Sequence, residues 1–235
     1  MTDDGKCRTY SGPIEEQKWA AKLKANVITP GYDSCIHGYS MNEDLIWNYS
    51  FTETVLLTLT GEIPAESDRI LFETALKFLL PVSVAEAPVH AGVVARLCGA
   101  SQSGVTGIGA IGLAEQARFI VEKHRGLLEW LDREDKRLPD EYHAADDEER
   151  RSVDVIRNCV KQAGLEINGL EENPSRISSI IMMLHACGLR KSEQIELSIV
   201  MARISSITAE ALNVEPGDFR DYPIDLPPFR YQEKS

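Results

Sequence analysis

GVTGIGAIGLAEQARFIVEKHRGLLEWL (104–131) is the stretch that decides the fold. It contains GIGAIG (107–112), a literal match to the Gly-x-Gly-x-x-Gly loop that cradles a dinucleotide phosphate. That loop needs a strand leading into it and a βαβ unit around it. Here the residues on both sides follow a helical pattern, so the small residues are read as contacts that let helices pack closely. The stretch then reads as a long helical segment, buried at its start, and the chain as all-α.

The flanks agree. Upstream, ESDRILFETALKFLL (66–80) puts Ile70, Leu71, Ala75, Leu76, Leu79 and Leu80 on one helical face, with Ser67 as N-cap and Pro81 as terminator. A mostly apolar helix is predicted over 89–98. Residues 36–64 give a turn, a short helix near 42–47 and a second near 52–59, stopped by Gly61 with Pro64 following. Residues 1–31 are polar and irregular, an arm or a short strand pair. Downstream, DREDKRLPDEYHAADDEERR (132–151) reads as a solvated loop. Helices are predicted over 152–164, 174–187 and 192–212, and the tail from Pro216, with four prolines, reads as extended. No alternating strand pattern of any length occurs.

Composition sets bounds on function. The chain has 235 residues, 43% apolar and 26% charged, as in a folded globular protein. Its net charge of −12 argues against a nucleic-acid or anionic-membrane partner, while leaving room for local basic pockets. Five scattered cysteines without a Cys-x-x-Cys pair read as reduced thiols of a cytoplasmic protein. Neither a secretory signal nor a membrane span is expected, and no residue spacing suggests a metal site.

Two stretches carry candidate chemistry. In VSVAEAPVHAGVVAR (82–96), Pro88 fits the first turn of a new helix, which puts Glu86 near that helix's N-terminus. Two readings stay open for Glu86: it caps the helix, or it performs acid–base chemistry in a pocket. In IVMARISSI (199–207), Arg203 sits in an apolar run, where a buried guanidinium should meet a carboxylate. His143, in LPDEYHAADDEERR, taken alone is a loop histidine; His37, His124 and His185 read as packing or surface residues.

The order of these pieces resembles the citrate synthase family, especially its short forms, citryl-CoA lyase and the lyase domain of ATP-citrate lyase. IHGYSMNEDL…SFTETVLLTLTGEIP (36–64) is similar to the family's "I-R-G-Y, D-L, S-F-E-E, L-L-L-x-G-E-L-P", with His37 where arginine is usual. The 82–101 segment resembles "A-D-H-G-P…A-A-R…A-S": Pro88, Ala95, Arg96, Ala100 and Ser101 match, while Glu86 stands where the first catalytic histidine belongs. The family's His-Gly-Gly is missing from IGLAEQA (111–117). LPDEYHAADDEERR resembles "I-P-G-F-G-H…D-P-R", with Pro139 and His143 in place. EINGLEENPSRISSIIMMLHACGL (166–189) resembles "N-V-D-G…L-L-D-L-G", and the catalytic aspartate falls on Ser175 or a neighbour. VMARISSITAEALN (200–213) keeps the arginine as Arg203 and has Glu210 in the place of a histidine, and FRDYPIDLPPF (219–229) is similar to the lyase-domain ending.

The resemblance implies an all-α, citrate synthase-like multihelical fold with a large helical core and a smaller lobe near 130–200. It spans 33–230, between an N-terminal arm (1–32) and a short tail (231–235). It implies a coenzyme A thioester as substrate, with no tightly bound cofactor and no metal, and a small di- or tricarboxylic acid. In the family a histidine polarises the thioester carbonyl, an aspartate removes the α-proton, a second histidine binds the keto acid, and arginines hold its carboxylates. By matching position, Glu86 and His143 are the catalytic candidates, and Arg203 and Arg96 the substrate-binding ones. Glu86 could act as a protonated donor or as the base. Three readings follow: a divergent enzyme making or cleaving a C–C bond through an acyl-CoA enol, a non-catalytic subunit that binds a CoA ester or pairs with an active subunit, or a purely structural helical protein, against which Arg203 and His143 argue. The family association is a dimer, so a homodimer or a heteromer with a citrate synthase-like subunit is implied. The small-residue segments 93–113 and 199–211 would suit close packing across such an interface.

Overall fold

The structure, a computed structural model, describes residues 26–133 and 137–217. The N-terminal arm up to residue 25 and the FRDYPIDLPPF ending lie outside the described residues. The chain divides into two compact units, 1–48 and 49–235.

The described part of the first unit is a small meander: β1 (Ile28–Thr29), β2 (Cys35–Ile36) and β3 (Tyr39–Ser40), antiparallel in that order. His37 and Gly38 link β2 to β3 with φ of 48° and 88°, the paired left-handed geometry of a tight hairpin turn. A π-turn (Met41–Leu45) and α1 (Ile46–Asn48) follow. Of residues 1–31, considered as an arm or a strand pair, all but 26–31 lie outside the described residues, and within them only β1 falls in that range.

The second unit is helical: α2 (Phe51–Thr60), α3 (Glu66–Leu79), α4 (Ala87–Leu97), α5 (Gln102–Lys123), α6 (Arg125–Asp132), α7 (Asp147–Gln162), α8 (Arg176–Ala186) and α9 (Ser192–Leu212). The all-α expectation holds. α2 starts in a full capping box, Ser50 and Glu53 each holding the other's backbone N–H, and stops at Gly61 with φ 82°. α3 starts before the expected Ser67. Asp68 reaches back to the Ala65 N–H at 3.0 Å, which fixes Glu66 as the first helical residue.

The expected helical stretch 104–131 is two helices. His124 ends α5 and opens α6, its Nδ1 lying 2.7 Å from the Ile120 carbonyl oxygen. The expected solvated loop 132–151 is also different. Leu138 and Tyr142 are buried, Asp140–Tyr142 forms a 3-10 turn, and α7 begins at Asp147. Asp146 caps it, accepting from the Glu149 N–H at 2.8 Å, and the acidic run stabilises the positive end of the helix dipole.

Two apolar clusters hold this unit. The larger includes Leu56, Phe72, Leu127, Ile156, Met182 and Ile195. In it α8 is buried along Ser178–His185 and packs against α3, α6, α7 and α9. The smaller joins α4, α5 and α9 through Val89, Val93, Val105, Leu113 and Ile207. Two of the three glycines of GIGAIG serve close packing there: a Cβ on Gly109 would lie 2.9 Å from Ile207 Cγ2, and one on Gly112 3.4 Å from Pro88 Cα, while Gly107 faces open space. The small-residue segments expected at an interface between subunits therefore pack against each other within the chain.

Candidate functional site

Glu86 occupies the N-cap position of α4, and Pro88 lies in the first turn as its fixed φ favours. Its side chain does not cap the helix. Oε1 turns back to the Ser83 N–H at 3.2 Å, while Oε2 crosses to α5 and α9. There it accepts from Gln116 Nε2 at 2.7 Å and from Arg203 Nη1 at 3.0 Å. The same Nη1 donates to Gln116 Oε1 at 3.2 Å, closing a triangle of side chains from three helices. Arg203 is 8% exposed, and its Nε is buried without an acceptor. Glu86 is the carboxylate that the apolar setting of Arg203 requires.

His143 belongs to a different part of the site. Its segment pairs with the residues ahead of α8: Ala144 N–H donates to Asn173 O at 3.0 Å, and His143 and Pro174 form an antiparallel bridge. The Ser175 N–H donates to the Tyr142 carbonyl. His143 Nδ1 lies 3.2 Å from the Pro139 oxygen. His143 therefore sits beside Pro174 and Ser175. Ser175 caps α8, and its Oγ is hydrogen-bonded to Ser178 Oγ at 2.8 Å. Next to His143, burial and then the Glu141 carboxylate push the Tyr142 phenol up to about 12.

Arg203 also faces a cavity of about 430 Å³ between α3, α7, α8 and α9. Arg176 shares that cavity and reaches across to the Phe78 carbonyl oxygen at 2.7 Å. Arg96 is not brought to this group. It lies in the last turn of α4, ten residues beyond Glu86 and so about 15 Å along the axis. His90 is exposed on the first turns of α4.

Sequence reasoning missed Gln116 and Arg176. Each carried a signal: Gln116 is polar within a small, apolar helix, and Arg176 places a cation on the first residue of a helix, against the dipole. Among the described residues no cluster of His, Cys, Asp or Glu could hold a metal, and no helix is long and apolar enough to cross a membrane.

Helices α4, α5 and α9 around one polar triangle, with the 142–144 and 173–175 segments paired across the mouth of α8, define a citrate synthase-like fold. The solved structures it matches bear this out. Citryl-CoA lyase from Hydrogenobacter thermophilus matches with a TM-score of 0.57 at 17% identity, over 91% of this chain and 95% of that one. ATP citrate lyase from Methanothrix soehngenii, in complex with citrate and coenzyme A, matches over the whole of this chain with a TM-score of 0.58 at 10% identity. ATP citrate lyase from Methanosaeta concilii, in complex with (3S)-citryl-CoA, matches equally. The chain spans 46% of the length of each ATP citrate lyase. No protein-family model and no curated protein matches the sequence.

Proposed function

We propose that this protein is a non-catalytic relative of citryl-CoA lyase that binds a small carboxylic acid or its coenzyme A thioester. The observation that carries this reading is the Glu86–Gln116–Arg203 triangle. Enol chemistry next to a thioester needs a hydrogen-bond donor at the carbonyl oxygen and a base at the α-carbon. Glu86, at the donor's position, is held as an acceptor by three donors: Ser83 N–H, Gln116 Nε2 and Arg203 Nη1. By the resemblance the base falls on Ser175 or a neighbour, and Ser175 is a hydroxyl hydrogen-bonded to Ser178. Loss of one such donor alone slows an enzyme by about 10²–10³.

The catalytic reading keeps one observation in its favour, His143 paired beside Ser175. In that reading Glu86 or His143 performs the proton transfer on an acyl-CoA, and Arg203 and Arg96 hold the acid. Two measurements decide between the readings. Titration calorimetry with coenzyme A, acetyl-CoA and citrate reports binding; exchange of the acetyl-CoA methyl protons with deuterated solvent reports enolisation. The proposal expects binding without exchange. Exchange that disappears in Glu86→Gln would establish the catalytic reading instead, and absence of binding to every ligand would remove both.

The assembly proposed is a homodimer, with a citrate synthase-like subunit as the alternative partner. Ile108, Ile111 and Phe119, exposed on the outer face of α5, support it. The scattered cysteines, none in a Cys-x-x-Cys pair, are what supports a cytoplasmic setting.

A further inference from the structure

The cavity beside Arg203 has a charge arrangement of its own. Arg203 already has an internal counter-charge in Glu86. Arg176 does not: among the described residues its guanidinium has no carboxylate within 4.0 Å. Nη2 is held by the Phe78 carbonyl oxygen, and Nε is buried without an acceptor. A partly buried guanidinium without a counter-ion is costly, so this one is set to receive an anion.

The rest of the lining limits what that anion can be. Ile177 and Ile180 give the cavity an apolar wall beside Phe78. Three carboxylates also face it, Asp146, Glu148 and Glu149. Glu149 is occupied, Oε1 accepting from the Arg176 N–H at 3.0 Å and Oε2 from the Ala145 N–H at 2.9 Å. Asp146 caps α7 through Oδ1, and Glu148 is exposed. Their charges repel a second and third negative group on a ligand. One available cation, an apolar wall and an acidic rim suit a ligand with one carboxylate and a short apolar body.

We propose that Arg176 is the carboxylate anchor of this chain and that the cavity takes a short-chain monocarboxylate rather than a di- or tricarboxylate. This rests on the binding reading above and names its ligand class. The carboxylate lies on the Arg176 guanidinium, and the alkyl body lies along Ile177 and Ile180. In this arrangement Arg203 remains paired with Glu86 when the ligand is bound.

Titration calorimetry on the full chain tests it with n-butyrate, succinate, citrate and coenzyme A as separate probes. Butyrate is expected to bind at least about tenfold more tightly than succinate or citrate. Arg176→Gln should weaken butyrate by about tenfold or more and leave coenzyme A unchanged. Ser152→Glu adds a carboxylate to the cavity wall while leaving the Arg176–Phe78 bond in place, and should weaken butyrate similarly; it decides the matter if Arg176→Gln folds poorly. Citrate binding as tightly as butyrate, or butyrate binding unchanged in both variants, overturns the inference. Coenzyme A binding without butyrate binding overturns it while sparing the non-catalytic reading. Absence of binding by every probe removes that reading too.

Discussion

Replacing Glu86 by alanine should destabilise the fold more than an ordinary ion pair would suggest. The pair joins side chains that are 10% exposed for Arg203 and 29% for Glu86. A fully exposed pair contributes about 0–1 kcal/mol. Removing one partner of a fully buried pair costs about 3–5 kcal/mol, because the remaining charge stays buried. In Glu86→Ala the Arg203 guanidinium keeps only Gln116 Oε1 among these acceptors, and Gln116 Nε2 loses its own. Water can enter at the Glu86 end, so the expected loss falls between the limits, at about 2–3 kcal/mol. For a chain of this size that lowers Tm by roughly 5–10 °C. Urea unfolding followed by far-ultraviolet circular dichroism measures it, and the double variant Glu86→Ala/Arg203→Met isolates the coupling. The double variant should recover most of the loss, since the unpaired charge leaves with the arginine. Salt at about 1 M should change the coupling little, as the pair is largely shielded from solvent. A Glu86→Ala loss below about 0.5 kcal/mol, or strictly additive single losses, would refute the claim that this pair holds α4 to α9.

Other consequences can be measured alongside. Gly109→Val should cost about 1–3 kcal/mol, because even a Cβ there would lie 2.9 Å from Ile207 in the α5–α9 contact; a neutral variant would mean that the contact relaxes freely. Burial lowers both His124 and His185 below their ordinary value of 6.5, outweighing the Asp132 carboxylate beside His185. The unfolded chain therefore takes up protons first, so stability should be fully present above pH 6.5 and fall as pH drops below it. Replacing both histidines by glutamine should flatten that slope, and an unchanged slope would assign it to other groups. Burial pushes the Cys187 thiol up to about 12, whereas Cys98 is exposed. Iodoacetamide should therefore label Cys98 in the native protein and reach Cys187 only on unfolding, as peptide mapping would show.

The helices were legible where local chemistry set their ends. α9 runs over the predicted 192–212, and Gly61 ends α2 because only a left-handed residue fits there. The 132–151 segment was misread because DDEERR looks like solvated charge. In place it is the first turn of a helix, with Asp146 and Glu149 three residues apart as a capping pair. For the site, the sequence showed that Arg203 needs a carboxylate but could not choose among 37 acidic residues. The partner is 117 positions away, and only the packing of α4 on α9 brings it there. Arg176 went unnoticed because its one local signal, a cation on the first helical residue against the dipole, does not say that the side chain enters a cavity.

The side chains at 86 and 175 are both tied into the fold by hydrogen bonds of their own. In the family that this chain resembles, an arginine at the Arg203 position holds a substrate carboxylate. Here Arg203 lies in the apolar seam between α5 and α9, where an uncompensated guanidinium would be costly. A carboxylate at position 86 balances that charge without a ligand, and Gln116 makes the balance directional by donating to Glu86 and accepting from Arg203. The same carboxylate cannot donate to a thioester oxygen while it accepts from three donors. On the proposed reading, a glutamate at position 86 thus stabilises the fold without a ligand and is unsuited to act as an oxyanion donor. Ser175 in turn caps α8 and is hydrogen-bonded to Ser178. Arg176, one residue further along, has no carboxylate partner among the described residues, and on the proposal above it is where the ligand binds.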